Sequence, residues 1–136
     1  MQKLKTCLMF VGDQHGKAEE AMNLYVSLFE NSRILEIERR GADEEELEGT
    51  VKRATFSLAG QELIAMDSGR QHHFTFTPAV SIFVDFDRER ELDEAYTGLS
   101  DGGMVLMPLQ EYPFSGKFAW INDRYGVSWQ LNLTQS

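Results

Sequence analysis

The sequence has one cysteine, three prolines and no apolar run approaching the roughly 20 residues that a membrane-spanning helix requires. A lone Cys7 excludes an internal disulfide, so nothing in the fold depends on an oxidising compartment. Basic residues are also scarce, 13 against 22 acidic ones, for a net charge of −9. Nucleic-acid binding leaves a basic footprint, and none is present, so that class of partner is excluded. Met1 to Thr6 carries Lys3 and Lys5, but no long apolar stretch or small-residue cleavage site follows. The segment does not read as a signal peptide, and a soluble, cytoplasmic protein with no membrane partner is expected.

The 136 residues are 42% hydrophobic and fit one domain, long enough to bury about two thirds of the unfolded surface. Part of the acidic excess is local: Asp43, Glu44, Glu45, Glu46 and Glu48 follow Arg39-Arg40-Gly41. This run reads as a solvated loop in preference to a cation site, although an acidic body favours cationic ligands through its long-range field.

Leu4 to Val11 has β character and ends at Gly12-Asp13. Ala18, Ala21, Met22, Tyr25 and Phe29 then form one stripe of an amphipathic helix. Arg33 to Arg40 reads as a strand with Leu35 and Ile37 on one face. Val51 to Ala59 alternates Ala54, Phe56 and Leu58 against Arg53, Thr55 and Ser57, and Ala59-Gly60-Gln61 predicts a hairpin into Glu62 to Asp67. After an irregular connection the order returns. Ala79 to Phe86 is a strand, Asp87 a candidate N-cap with Glu89 and Glu91 in the first turn, and Leu92, Ala95, Tyr96 and Leu99 a second stripe. Three strands follow: Met104 to Met107, Lys117 to Asn122 and Val127 to Leu133. The fold class is therefore α+β, two βαβββ modules covering about 1–67 and 78–134, joined by 68–77 in a single domain of 1–136.

Two helices cannot cover both faces of eight strands, so one face is free to line a groove or meet a partner. Strand alternation selects its side chains. Lys5, Cys7 and Met9 oppose Leu8 and Phe10, while Ser81 and Phe83 oppose Ile82 and Val84. Gln130 opposes Trp129 and Leu131. With Trp120, these are the candidate groove residues, a polar and soft apolar mixture suited to a small molecule. Trp129 reads as core, and Trp120 as either groove wall or packing. Tyr112-Pro113-Phe114 reads as a loop that caps the groove or tucks onto a partner subunit. His15 reads as a solvent-facing loop residue, and adjacent His72 and His73 point opposite ways. Cys7 beside Lys5 has the cation of an activated thiol but no base, and reads as a buried, inert thiol.

Several stretches carry a family resemblance: Cys7 to Gly12 followed by Ala18 to Tyr25, Phe76 to Val84, Gly102 to Leu109, and Tyr112 to Ser115 through Trp120 into Asp123 to Leu131. Together with the doubled βαβββ order, the chain resembles the PhnB-like branch of the vicinal oxygen chelate superfamily, the glyoxalase and bleomycin-resistance fold. Members often carry a demethylubiquinone methyltransferase label, but no Gly-rich strand-to-helix turn with an acidic ribose partner is present to support methyl transfer. Metal-dependent relatives of this superfamily bind a divalent ion with His and Glu from the first, fourth, fifth and last strands. The matching positions here are Lys5, Leu63-Ile64-Ala65, Ala79 or Ser81, and Gln130, which is not a metal set. The resemblance thus implies a metal-free, cofactor-free protein, in a homodimer, that binds an unidentified small organic molecule. The alternatives are an atypical lyase, isomerase or dioxygenase-like enzyme, or a structural role.

Overall fold

A computed structural model describes residues 1–134 and divides the chain into two compact units, Met1–Thr75 and a second from Phe76 onward. The first contains β1 (Thr6–Phe10), a 3-10 turn (Gly12–Gln14), α1 (Ala18–Leu28), β2 (Arg33–Arg39), β3 (Val51–Leu58) and β4 (Gln61–Asp67). Its sheet order is β1-β4-β3-β2, with β1 parallel to β4 and the other pairs antiparallel. The second contains β5 (Ser81–Phe86), α2 (Glu89–Ser100), β6 (Met104–Tyr112), β7 (Ser115–Asn122) and β8 (Ser128–Leu133). Its order, β5-β8-β7-β6, repeats the arrangement with β5 parallel to β8. The protein is an α+β fold of two βαβββ modules.

Each helix lies on one face of its own sheet. Ala18, Ala21, Met22 and Tyr25 of α1 are buried, packing over β3 together with β2 and β4. Each large side chain buried there contributes about 1.5–3 kcal/mol. Leu92, Ala95 and Leu99 of α2 are buried in the same way over its own sheet. Ala54, Phe56 and Leu58 lie under α1 with Leu8 and Phe10 buried on the same face, and Trp129, Leu131 and Ile121 form the corresponding layer under α2. Cys7, Met9, Thr55, Phe83, Trp120 and Gln130 alternate with these and occupy the faces without a helix.

Several local expectations are corrected. Asp87 does not cap α2; Arg88 holds the cap position without a side-chain bond, and the helix begins one residue later. Leu35 and Ile37 do not share a face, because the register shifts between Ile34 and Glu36. That bulge leaves Leu35 exposed while Ile34 and Ile37 turn inward. Strand β6 runs through Pro108 to Tyr112, well beyond Met107. It is an edge strand, where a missing N–H is tolerated. The expected loop at Tyr112-Pro113-Phe114 is therefore only the two-residue turn Pro113-Phe114 of a tight hairpin, with Tyr112 paired to Ser115. The acidic run is also less free than expected. Glu46 accepts from Gly69 N–H at 2.5 Å and pairs with Arg40 at 3.1 Å, while Glu44 pairs with Lys52 at 2.7 Å.

Candidate functional site

In the second unit, Gln130 stands at the centre of the helix-free face. The register places Phe83 on one side of it and Trp120 on the other. Gln130 Nε2 donates to Ser81 Oγ at 2.8 Å, which fixes the amide plane. Trp120 Nε1 donates to Ser128 Oγ at 2.8 Å, so the indole is held by a bond while remaining partly exposed. Trp120 thus belongs to the open face, whereas Trp129 is fully buried and donates to the Asp123 carboxylate at 3.0 Å. Phe83 is 54% exposed and tilts against Phe118, with ring centroids 6.2 Å apart. Phe118 in turn receives Phe114 and Tyr112 edge-on at 5.0 and 5.9 Å, which explains its burial on an otherwise open face.

The first unit presents a different surface. Cys7 pairs in register with Ile64, and Met9 with Met66, making a soft apolar floor. Cys7 is exposed, against the expectation of a buried thiol. Partial desolvation nevertheless pushes its thiol above the ordinary range, and Arg53 pulls it back in part. Lys5 is not the cation that acts on it. Lys5 is committed to Glu62 at 3.1 Å, which holds that carboxyl below its usual range. A thiol raised in this way is a poor nucleophile at neutral pH.

The histidines divide. His15 is half-buried, not solvent-facing, and its Nε2 is screened from water with no hydrogen-bond partner among the described residues. His72 bonds Ser68 Oγ at 2.8 Å and packs on Phe74, while neighbouring His73 is exposed.

The superfamily's divalent ion does not fit this donor set. Lys5 is an ion-paired cation, Leu63-Ile64-Ala65 is apolar, and Ser81 and Gln130 are bonded to each other. Among the described residues no three His, Cys, Asp or Glu side chains converge in a metal-binding group.

Two residues escaped the reading of the sequence. Asp67 is buried; one carboxylate oxygen accepts from Gly16 and Ala18 N–H at 2.9 and 3.1 Å, the other from Val51 N–H at 2.9 Å. It thereby occupies the N–H groups at the start of α1, where a ligand phosphate would otherwise dock. Arg53 projects from the middle of its sheet on the same face as Cys7. The alternation of β3 sets it opposite Ala54 and Phe56, but its lack of an ion-pair partner among the described residues is visible only in the structure.

Two four-stranded mixed sheets, each with a helix on one face, give the glyoxalase/bleomycin resistance/dioxygenase-like fold. Solved structures agree: a glyoxylase/bleomycin resistance protein/dioxygenase domain from Frankia matches at 13% identity, over 99% of this chain and 98% of that one, with a TM-score of 0.67. Within that class the chain belongs to the family described as 3-demethylubiquinone-9 3-methyltransferase, whose model matches residues 2–132. A putative 3-demethylubiquinone-9 3-methyltransferase, PhnB protein, from Bacillus cereus is 53% identical. The match covers 98% of this chain and 100% of that one, with a TM-score of 0.92. Protein PA1353 from Pseudomonas aeruginosa is 22% identical over 98% of this chain and 100% of that one, with a TM-score of 0.81. Among curated proteins no significant match is found. No helix is long and apolar enough to cross a membrane among the described residues.

Proposed function

We propose that this protein binds a small organic molecule on the helix-free faces of its sheets and carries out neither metal-assisted nor methyl-transfer chemistry. The observation that carries this reading is the Gln130 constellation: an amide oriented by Ser81, with Phe83 and a bonded Trp120 as aromatic neighbours. A small number of fixed polar groups among aromatic walls is the usual composition of a small-molecule site. Methyl transfer is disfavoured because Asp67 already takes the N–H groups at the start of α1, and no glycine-rich nucleotide turn replaces them. Cys7, Met9 and Phe83 belong to the proposed contact surface, and Lys5 contributes to its edge through Glu62. A homodimer in the cytoplasm is the proposed working state, since apolar side chains such as Phe83, Met104 and Val105 stand exposed.

Thermal unfolding of metal-stripped protein tests the reading. A ligand specific for the native state adds about 2.7 kcal/mol at 100 times its dissociation constant. The expected result is no shift with Zn²⁺, Ni²⁺, Mn²⁺ or Fe²⁺ and a rise in midpoint with members of a small-molecule library. A metal-dependent shift together with a silent library would overturn the proposal in favour of an enzyme.

A further inference from the structure

We propose that the Cys7–Met9 face takes the oxyanion of a small organic acid, held by Arg53 beside a floor of Met9, Met66 and Ile64. This rests on the small-molecule reading and names the chemistry that one of the two faces recognises.

The molecule satisfies nearly all of its cations internally. Of the 13 lysines and arginines, all but Lys17, Arg33 and Arg53 have an ion-pair partner among the described residues. Lys17 precedes α1, and Arg33 is the first residue of an edge strand, so neither lies on an inner strand. Arg53 differs. It belongs to β3, an inner strand of the sheet. The pairing of Ala54 with Ala65, extended by one residue, sets it beside Met66, which is itself beside Met9. Its field reaches Cys7 on the same face. Glu38 lies opposite Arg53 on β2, yet no ion pair joins them within 4.0 Å. A guanidinium without a carboxylate partner, next to two thioethers and an isoleucine, presents a fork for an oxyanion and an apolar bed for the rest of the molecule.

The overall charge of −9 favours cations at long range. Long-range repulsion decays within about 8 Å at physiological ionic strength, however, so it slows encounter more than it weakens contact. At contact the local guanidinium dominates.

Cys7 is the sole cysteine and a reporter at the site, because its alkylation rate follows the local potential. The test titrates the full chain with benzoate, phenyl phosphate and the neutral isostere benzamide. Iodoacetamide alkylation of Cys7 and the Arg53 Nε resonance are followed together. Benzoate is expected to slow alkylation by about threefold as it neutralises Arg53, to move the Nε resonance, and to weaken with added salt. Benzamide should do neither. Arg53→Gln, at an exposed position, should abolish the benzoate effect, and Arg53→Lys should retain part of it. If phenyl phosphate acts and benzoate does not, the acid is a phosphate, and the site stands. Equal action by benzamide and benzoate would overturn the oxyanion while leaving small-molecule binding intact. If no probe acts on Arg53 although library compounds still raise the unfolding midpoint, the oxyanion site alone falls. Silence in both measurements removes the binding reading as well.

Discussion

The two units share an order of elements and a sheet topology, yet each secures its scaffold with a buried aspartate used in a different way. Asp67 closes β4 and binds backbone N–H groups far away in the chain, at Gly16, Ala18 and Val51. Asp123 lies in the turn after β7 and binds nearby groups, the N–H of Tyr125 and Val127 and the Trp129 indole. The open faces diverge too. One is a thioether floor beside an unpaired arginine, the other an aromatic and amide surface whose polar groups are already bonded. A repeated scaffold fixes where side chains point, and leaves each half free to choose what it points with.

Breaking the long-range anchor should produce the largest effect. Asp67→Ala strands the N–H donors of Gly16, Ala18 and Val51 at once, the last two buried, and the expected loss is about 3–5 kcal/mol. Asp123→Ala removes the bonds to Tyr125, Val127 and Trp129, but its turn can relax locally toward water, and about 2–3 kcal/mol is expected. Urea unfolding gives the totals, and amide exchange locates them. Asp67→Ala should deprotect α1 and β3 together, whereas Asp123→Ala should deprotect only the β7–β8 turn. Equal and equally local losses would end the distinction between the anchors.

The hairpins offer a second, smaller contrast. Gly103 opens β6 where an added Cβ would lie 2.1 Å from Asn122 O and 3.0 Å from the Asp123 backbone, so the strands must part. Gly103→Ala is expected to cost about 2–4 kcal/mol, as other overpacked sites do. Gly60, in the β3–β4 turn, has φ +88 but its nearest neighbour lies 3.7 Å away, so Gly60→Ala carries only conformational strain of about 1–2 kcal/mol. Matching unfolding midpoints for the two variants would show that β6 yields without resistance.

Much of this contrast was legible in the sequence, and the gaps have physical causes. The helical stripes, the Ala59-Gly60 turn and the alternation in β1, β3 and β8 follow from periodicities of 3.6 and 2, which report burial directly. The β-bulge at Leu35 escaped because one extra residue inverts the alternation without leaving a compositional mark. The extent of β6 escaped because proline is a strand signal only once the edge is known. Asp67 looked like the polar end of a strand; its role depends on backbone donors up to 51 residues away in the chain, which no local pattern contains. Cys7, Met9, Phe83, Trp120 and Gln130 fell on open faces by alternation alone. Which of them carries an unsatisfied partner depends on ion pairing across strands, and so Arg53 emerged only from the structure.

The smallest effect concerns the connections between equivalent strands. In the second unit β6 turns into β7 through two residues, whereas in the first a longer segment joins β2 to β3 and is held down by Glu46. The Gly69 N–H first, and then the fields of Arg40, Arg70 and His15, keep the Glu46 carboxyl below its usual range. A carboxylate depressed by folding adds stability that is complete above its unfolded pKa of about 4.3 and disappears as pH falls through the folded value. Glu46→Gln should therefore differ most from the parent protein at neutral pH and converge with it below about pH 4. Urea midpoints between pH 7 and pH 3 measure the gap. A constant gap would mean that the segment is held by shape alone, as the short hairpin of the second unit is.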